Sequence, residues 1–279
     1  MKKPAVVTGG ATVCALALIA VGAATARPEA TTIRVSTAMN AAQEVPAPTG
    51  AVAGARGTFA ATVTRSGTGA TVRWTMTFRG LTGAAVAAHI HTGRAGQPGP
   101  VAVPLCGPCT SPKRGTATAN AATLAALQSG GAYVNVHTAT NGGGEIRGQI
   151  GVTAGIKTTL TSRQEVPRPA GNVGRAGGSF TGTVTKSGRT VRLSWRLAFA
   201  RLTGRAVAAH IHIGPRGRSG PVAVPLCGPC RSGVRRTVTL KPAVVAALEG
   251  GRAYVNVHTG RNPAGEIRGQ IAPVALTVR

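Results

Sequence analysis

Six histidines are the residues of this chain best able to bind a metal ion or move a proton. They form two trios related by a constant offset of 121 positions: His89, His91 and His137, then His210, His212 and His258. Successive side chains of a β-strand point to opposite faces, so the two histidines of each H-x-H pair share one face, about 6.5 to 7 Å apart. Imidazole is a ligand for zinc and copper, and each trio is therefore a candidate metal site.

A glutamate follows each trio, Glu145 in the first copy and Glu266 in the second. We expect this carboxylate to be a fourth metal ligand or the hydrogen-bond acceptor that fixes a histidine tautomer. The alternative is a hydrogen-bonded polar cluster, in which Glu145 pairs with Arg147 or a histidine while Asn135 and His137 satisfy loop backbone groups. The spacing leaves both interpretations open.

Two Cys-Gly-Pro-Cys tetrapeptides carry four of the five cysteines. The same tetrapeptide serves thiol redox chemistry when its first cysteine begins a helix, which lowers the thiol pKa. Residues 111–115 have the composition of a loop instead, and an even cysteine count in an exported chain favours disulfides. We predict local disulfides between Cys106 and Cys109 and between Cys227 and Cys230, with a redox-active pair or a shared zinc site as alternatives.

Residues 1–26 have the pattern of an export signal. Lys2 and Lys3 precede an apolar run at 13–23, and Ala24-Thr25-Ala26 is typical of a cleavage site. The run is shorter than the roughly 20 residues that span a bilayer. We expect cleavage after residue 26, a secreted or envelope-associated protein, and no transmembrane segment after cleavage.

The mature chain is strongly basic, and it contains no aspartate. Residues 33–153 hold 9 basic and 2 acidic residues, and residues 154–274 hold 19 and 3, which gives net charges of +7 and +16. Arginine dominates, and its planar fork suits carboxylate and phosphate groups. We expect an anionic cell-surface polymer or an extracellular protein as partner, or else a merely solvated surface. Nucleic acid is not expected, because aromatic residues do not interleave with the basic ones.

The offset of 121 also relates segments without histidine. It maps Gln43–Pro46 onto Gln164–Pro167, Trp74 onto Trp195, and Glu145–Ile150 onto Glu266–Ile271. A unit of this length can bury its own core, which indicates a duplication of whole domains. We predict a signal peptide at 1–26 and domains at 27–152 and 153–279, which should abut because the junction has no long Pro or Ser tract.

Short segments of alternating polarity, separated by Gly, Ser and Pro, predict an all-β fold. In the first copy the predicted strands are residues 58–64, 71–78, 86–91, 100–103, 132–138 and 145–150. One short helix is predicted in each copy, at 123–128 and 242–248, where Pro242 suits a first helical position. The glycine-rich segment 93–100 should be a surface turn, because no helix follows it to form a phosphate loop.

Several of these motifs together resemble the CHRD domain, named for chordin. They are Leu81-Thr82-Gly83, Ala88–Gly93, Gly99-Pro100-Val101, Tyr133–Thr138 and Gly144–Ile150, with Asn262–Gln270 in the second copy. The resemblance implies two tandem immunoglobulin-like Greek-key β-barrels or sandwiches. In chordin the domain is associated with extracellular protein binding, and bacterial members have no settled activity. We therefore expect an exported, non-catalytic binding or envelope-associated module; the chain also lacks a G-x-S-x-G elbow.

A looser similarity links the H-x-H strand to copper-zinc superoxide dismutase, a Greek-key protein in which such a strand supplies copper ligands. That family uses further histidines and an aspartate, which this chain does not have. The alternative function is thus binding of zinc or copper at two sites, with superoxide-dismutase-like activity as a further possibility within this alternative.

Overall fold

The computed structural model describes residues 31–277, and the predicted export signal lies outside this range. The described chain is mostly β-sheet, with two short helices. In the first copy the strands are β1 (Thr32–Asn40), β2 (Arg56–Ser66), β3 (Gly69–Arg79), β4 (Ala85–Thr92), β5 (Val101–Cys106), β6 (Lys113–Ala119), β7 (Ala132–Thr138) and β8 (Ile146–Gln149). In the second they are β9 (Gly151–Thr161), β10 (Gly177–Ser187), β11 (Thr190–Ala200), β12 (Ala206–Ile213), β13 (Val222–Cys227), β14 (Val234–Thr239), β15 (Ala253–Thr259) and β16 (Ile267–Gln270).

All six strands predicted for the first copy are present, with ends shifted by a few residues. Two strands of the first copy were not predicted, β1 and β6, whose counterparts in the second copy are β9 and β14. Strand β6 begins within residues 111–115, which were expected to be a loop, and it pairs with β3 from Ala119 opposite Ala70 to Lys113 opposite Met76. Apart from its first two residues, β6 consists of Thr, Ala and Gly, so polar and apolar side chains alternate only weakly. Backbone hydrogen bonds to β3 therefore determine its extended conformation.

Each copy is built from two groups of strands. In the first copy, β1, β2, β3 and β6 follow one another in the sheet, while β8, β7, β4 and β5 form the second group. Their inward residues, such as Phe59, Trp74, Ile90 and Val134, belong to one hydrophobic core. Strands β5 and β6 each pair with one neighbour in the described structure, so this edge stays open. The all-β prediction is therefore confirmed, and the sheet is not closed into a barrel.

The two copies abut, as the composition of the junction predicts. The junction is itself a strand: β9 pairs with β1, where Arg34 lies opposite Thr153 and Ser36 opposite Gly151. The same strand pairs with β10 and β16 of the second copy. Backbone hydrogen bonds thus join both copies into one continuous sheet.

The two helices are α1 (Ala121–Ser129) and α2 (Pro242–Glu249), close to the predicted ranges. Asn120 caps α1 by accepting a hydrogen bond from the backbone N–H of Thr123 at 2.9 Å. Gly130 ends the helix with a φ of 73°, a conformation that favours glycine. Leu124 and Leu127 are buried, so α1 packs its apolar face into the core.

The cysteines are paired as the sequence predicts. A disulfide joins Cys106 to Cys109, and another joins Cys227 to Cys230. The backbone N–H of Cys109 donates to the carbonyl of Ala85, the first residue of β4. The tetrapeptide therefore connects the end of β5 to the start of the strand that carries His89 and His91.

Candidate metal centre

The histidine trios converge. His89 and His91 lie on β4, and His137 lies on the neighbouring strand β7, where it is paired with Ala87. One ring nitrogen from each of the three histidines lies within 4.8 Å of the other two, and His210, His212 and His258 repeat this arrangement. Nδ1 of His89 is 3.1 Å from Nε2 of His137. The trios thus form one compact imidazole cluster in each domain.

Irregular strand pairing accompanies each cluster. The register between β4 and β5 shifts between Ala88 and His89 and again between Ile90 and His91. His89 lies opposite Pro104, which has no backbone N–H to donate to the ladder. Bulges of this kind re-aim side chains and often occur beside functional sites. The proline in β5 therefore interrupts regular pairing with the strand that carries His89 and His91.

Backbone carbonyls fix the tautomers of two histidines. Nδ1 of His91 is 2.9 Å from the carbonyl oxygen of Gly99, and Nδ1 of His137 is 3.0 Å from that of Gly142. A carbonyl oxygen can only accept, so Nδ1 of each ring carries the proton and its Nε2 is unprotonated. Nε2 of His91 has no hydrogen-bond partner, whereas Nε2 of His137 faces Nδ1 of His89. A hydrogen bond from the second ring nitrogen to a carbonyl is the usual support of a metal-binding histidine.

Only glycine fits at position 99. A Cβ there would collide with the carbonyl oxygen of Thr92, and the equivalent Gly220 would collide with Ile213. The close approach places the Gly99 carbonyl within reach of His91. The glycine-rich segment 93–100 is a turn, as predicted, and its backbone also positions a ring nitrogen of the site.

Burial keeps the clusters neutral. Nε2 of His91 is buried and has no hydrogen-bond partner, and the same holds for Nε2 of His212 in the second domain. Desolvation by burial lowers the pKa of His89, His91 and His137 below the usual 6.5. Repulsion from neighbouring rings lowers the pKa of His89 and His137 further, and the charge of Arg147 lowers that of His91. At neutral pH the rings are therefore unprotonated, which is the form that binds metal.

The cluster fits a small transition-metal ion. Zinc-nitrogen bonds of about 2.0 to 2.1 Å in a tetrahedron place ligand nitrogens about 3.3 Å apart. The observed 3.1 Å between His89 and His137 is close to this value, and the widest pair, within 4.8 Å, would have to contract by up to about 1.5 Å. Neutral imidazoles suit zinc or copper better than calcium or magnesium, which prefer oxygen ligands.

A second layer of side chains supports His91. The ring of Tyr133 stacks against it, with centroids 4.8 Å apart and planes 10° from parallel. Arg147 lies over the Tyr133 ring, and its Nη2 donates to the carbonyls of Arg94 and Gln97, both at 2.9 Å. Arg147 therefore holds the turn whose Gly99 carbonyl orients His91.

The structure places Glu145 away from the histidines. One carboxylate oxygen accepts from the backbone N–H of Thr82 at 2.6 Å, and the other accepts from the hydroxyls of Thr82 and Thr138 and from Asn141. Glu145 precedes β8 at a bend, so the strand alternation used to predict its face does not apply to it. Glu145 and Glu266 tie loops together, and they hold no hydrogen bond to a histidine among those described.

Glu44 is the carboxylate that sequence reasoning missed. It is 5% exposed, and burial raises its pKa to about 7, although Arg147 and Asn135 act to lower it. Asn135 also lies beside His91, on the strand position opposite His89. Gly144, with a φ of 130°, leaves no room for a Cβ against Glu44 and Asn135. The recurrence of Gln-Glu-Val-Pro at both copies was the available signal.

A match to a protein-family model accounts for this repeated architecture. The model of the CHRD domain matches residues 35–150 and again residues 156–271. The chain belongs to the CHRD family. Both CHRD copies contain a complete histidine trio and its glycine-carbonyl support. No curated protein and no solved structure matched the chain in the corresponding comparisons.

Neither described CHRD helix is suited to crossing a bilayer. Within residues 31–277, no helix combines the length and the apolar character that a membrane span requires.

Proposed function

We propose that this CHRD protein binds one zinc or copper ion in each domain, through His89, His91 and His137 and through the matching trio of the second domain. The carrying observation is the fixed tautomer: in both domains two rings donate Nδ1–H to a carbonyl, which leaves Nε2 of each of these rings unprotonated and able to bind a metal ion. Buried polar atoms normally have a partner, and a metal ion supplies one to Nε2 of His91.

The wider proposal is an exported or envelope-associated binding protein. The leader pattern of residues 1–26 and the oxidised cysteine pairs support an extracellular setting. We also propose that each domain is an immunoglobulin-like Greek-key sandwich. The pairing of β3 with β6, instead of with β4, supports this topology because the chain must cross between the two groups of strands.

Metal content of the unaltered protein and of two variants tests the proposal, since the duplication supplies an internal control. After chelation and reloading, the unaltered protein should hold two ions per chain, His91→Ala should hold one, and the double variant His91→Ala/His212→Ala should hold none. An ion at about 100 times its Kd should stabilise the unaltered protein by about 2.7 kcal/mol per site. The double variant should gain nothing.

A polar cluster without metal is the competing function, and the direct contact of His89 with His137 favours it. In that case His91→Ala lowers stability equally with and without added ion, and the unaltered protein retains far less than one ion per domain. Either result refutes the metal proposal. Superoxide removal by the loaded protein beyond that of the free ion would extend the proposal to dismutase-like turnover.

A further inference from the structure

The surface of this protein is cationic with almost nothing to balance it. Of the five glutamates in residues 31–277, Glu44, Glu145, Glu165 and Glu266 are buried, and only Glu249 is not. Because these four carboxylates are buried, the exposed arginines and lysines of the described residues have few acidic neighbours on the surface. The imbalance is greatest in the second domain, where 19 basic residues occupy positions 154–274.

Three of these cations form one row across the outer sheet of the second domain. Lys157 of β9 lies opposite Thr181 of β10, Thr181 lies opposite Arg196 of β11, and Arg196 lies opposite Arg235 of β14. Residues paired in this way share a face, and Lys157, Arg196 and Arg235 are all exposed. With neighbouring strands about 4.8 Å apart, the row is about 14 Å long.

The row is unfavourable for the isolated domain. Like charges directly opposite one another destabilise a strand pair, and Arg196 and Arg235 are such a pair. Glu249, the remaining unburied acid of the described chain, is not among the residues that line this face. An anionic ligand bound along the row would relieve this repulsion.

A groove and a second row give this face the form of a binding site. The groove has a volume of about 650 Å³, and its lining includes Lys157, Arg196, Arg235 and Arg236. The adjacent outward row carries hydroxyls: Thr183 lies opposite Ser194, whose Oγ is 2.9 Å from Oγ1 of Thr237. Cations and hydroxyls thus alternate along the strands.

We propose that this groove binds an acidic polysaccharide, with uronate carboxylates on the arginine forks and sugar hydroxyls on the Thr and Ser row. Arginine pairs with a planar carboxylate through two hydrogen bonds, which a row of cations can repeat along a polymer. A membrane surface fits less well, because the exposed apolar residues Val207 and Val222 lie on β12 and β13, outside the groove. Single-stranded nucleic acid lacks an exposed stacking ring here, since Trp195 is buried.

The first domain provides a matched surface without the site. At the equivalent positions its row reads Ser36, Ala60, Thr75 and Arg114, in the same register. One cation replaces three, on the same strands and facing the same way. The polysaccharide site is therefore a property of the second domain alone, whereas both domains carry the histidine cluster.

Binding of an oligogalacturonate to the full chain tests the proposal. The double variant Lys157→Ser/Arg196→Thr gives the second domain the first domain's own residues at two strand positions, so it should fold. Its Kd should rise by at least about tenfold, since two charge-assisted contacts are lost. The control Arg168→Ala/Arg205→Ala removes two exposed cations outside the groove and again introduces the first domain's residues. Because salt screens charges that are remote from the bound polymer, the Kd of this control should change by less than about threefold.

A gain-of-function variant separates loss of the binding site from general damage to the protein. Ser36→Lys/Thr75→Arg builds the cation row in the first domain and should raise the number of oligogalacturonates bound per chain from one to two. Parallel titrations use phosphatidylglycerol vesicles and single-stranded DNA. Equal loss in the groove variant and its control, or groove-dependent binding of vesicles or DNA without binding of oligogalacturonate, would overturn the proposal. Metal content stays at its original value in all these variants.

Discussion

The guanidinium carbon of Arg147 lies 3.4 Å from the centroid of the Tyr133 ring. Tyr133 belongs to β7, between the strand that carries Arg147 and the strand that carries His91, and it stacks on His91 as well. A cation over an aromatic face is favourable, particularly when it is desolvated. The contact links a buried charge to a ring of the candidate metal centre, and the same contact joins Arg268 to Tyr254.

Replacing Arg147 by Met should loosen the metal centre of the first domain. The variant loses the hydrogen bonds to the carbonyls of Arg94 and Gln97, and the domain should lose about 3 kcal/mol of unfolding free energy. The charge of Arg147 also lowers the pKa of His91, so that pKa should rise. Proton NMR titration of the imidazoles measures it, with His212 as the internal control; an unchanged His91 would contradict the assigned role.

Replacing Glu145 by Ala should reduce stability without removing the metal site. The change leaves the hydroxyl and amide donors of Thr82, Thr138 and Asn141 without their acceptor, at a cost of about 3 kcal/mol. Denaturant unfolding measures the loss, and elemental analysis of the folded variant should still find two ions per chain. Loss of one ion would restore the expectation that Glu145 supports a histidine.

Replacing Glu44 and Glu165 by Gln should alter the dependence of stability on pH. Burial raises the pKa of each carboxyl from 4.5 to about 7, so the folded state binds more protons than the unfolded state between these values. Their contribution to stability is therefore present below pH 4.5 and is lost as the pH rises through 7, on the order of 3 kcal/mol per domain. Thermal unfolding from pH 4.5 to 8 should show a smaller decline for the Gln variant. An equal decline in both proteins would refute the buried-acid assignment.

Acid should release the metal ions and destabilise the histidine clusters together. The folded-state pKa values of the six histidines lie below the usual 6.5, so the unfolded chain takes up protons first as the pH falls. The stabilising contribution of the neutral rings is thus present above pH 6.5 and is lost as the pH falls through the folded values. Calorimetric zinc titrations at pH 7.5 and 5 should show weaker binding at pH 5. Equal affinity at both values would exclude imidazole ligands.

The sequence by itself determined the duplication, the pairing of the cysteines and the membership of each histidine trio. The duplication follows from the constant offset of 121 residues. The prediction that His89 and His91 share one face follows from the two-residue period of a strand, and both residues lie in β4. It also indicated the greater charge of the second copy. Local periodicity was sufficient for these features because each depends on neighbours along one strand.

Only the tertiary structure decided which carboxylate approaches the site and which ring nitrogens are unprotonated. Glu145 leaves the strand pattern at a bend, while Glu44 reaches Asn135 from a segment remote in the sequence. The Gly99 carbonyl reaches His91 because a turn folds back onto Thr92. Likewise, Lys157, Arg196 and Arg235 meet only through the register of β9, β10, β11 and β14. Turn geometry and strand register act between distant residues, and no local pattern of side chains specifies them.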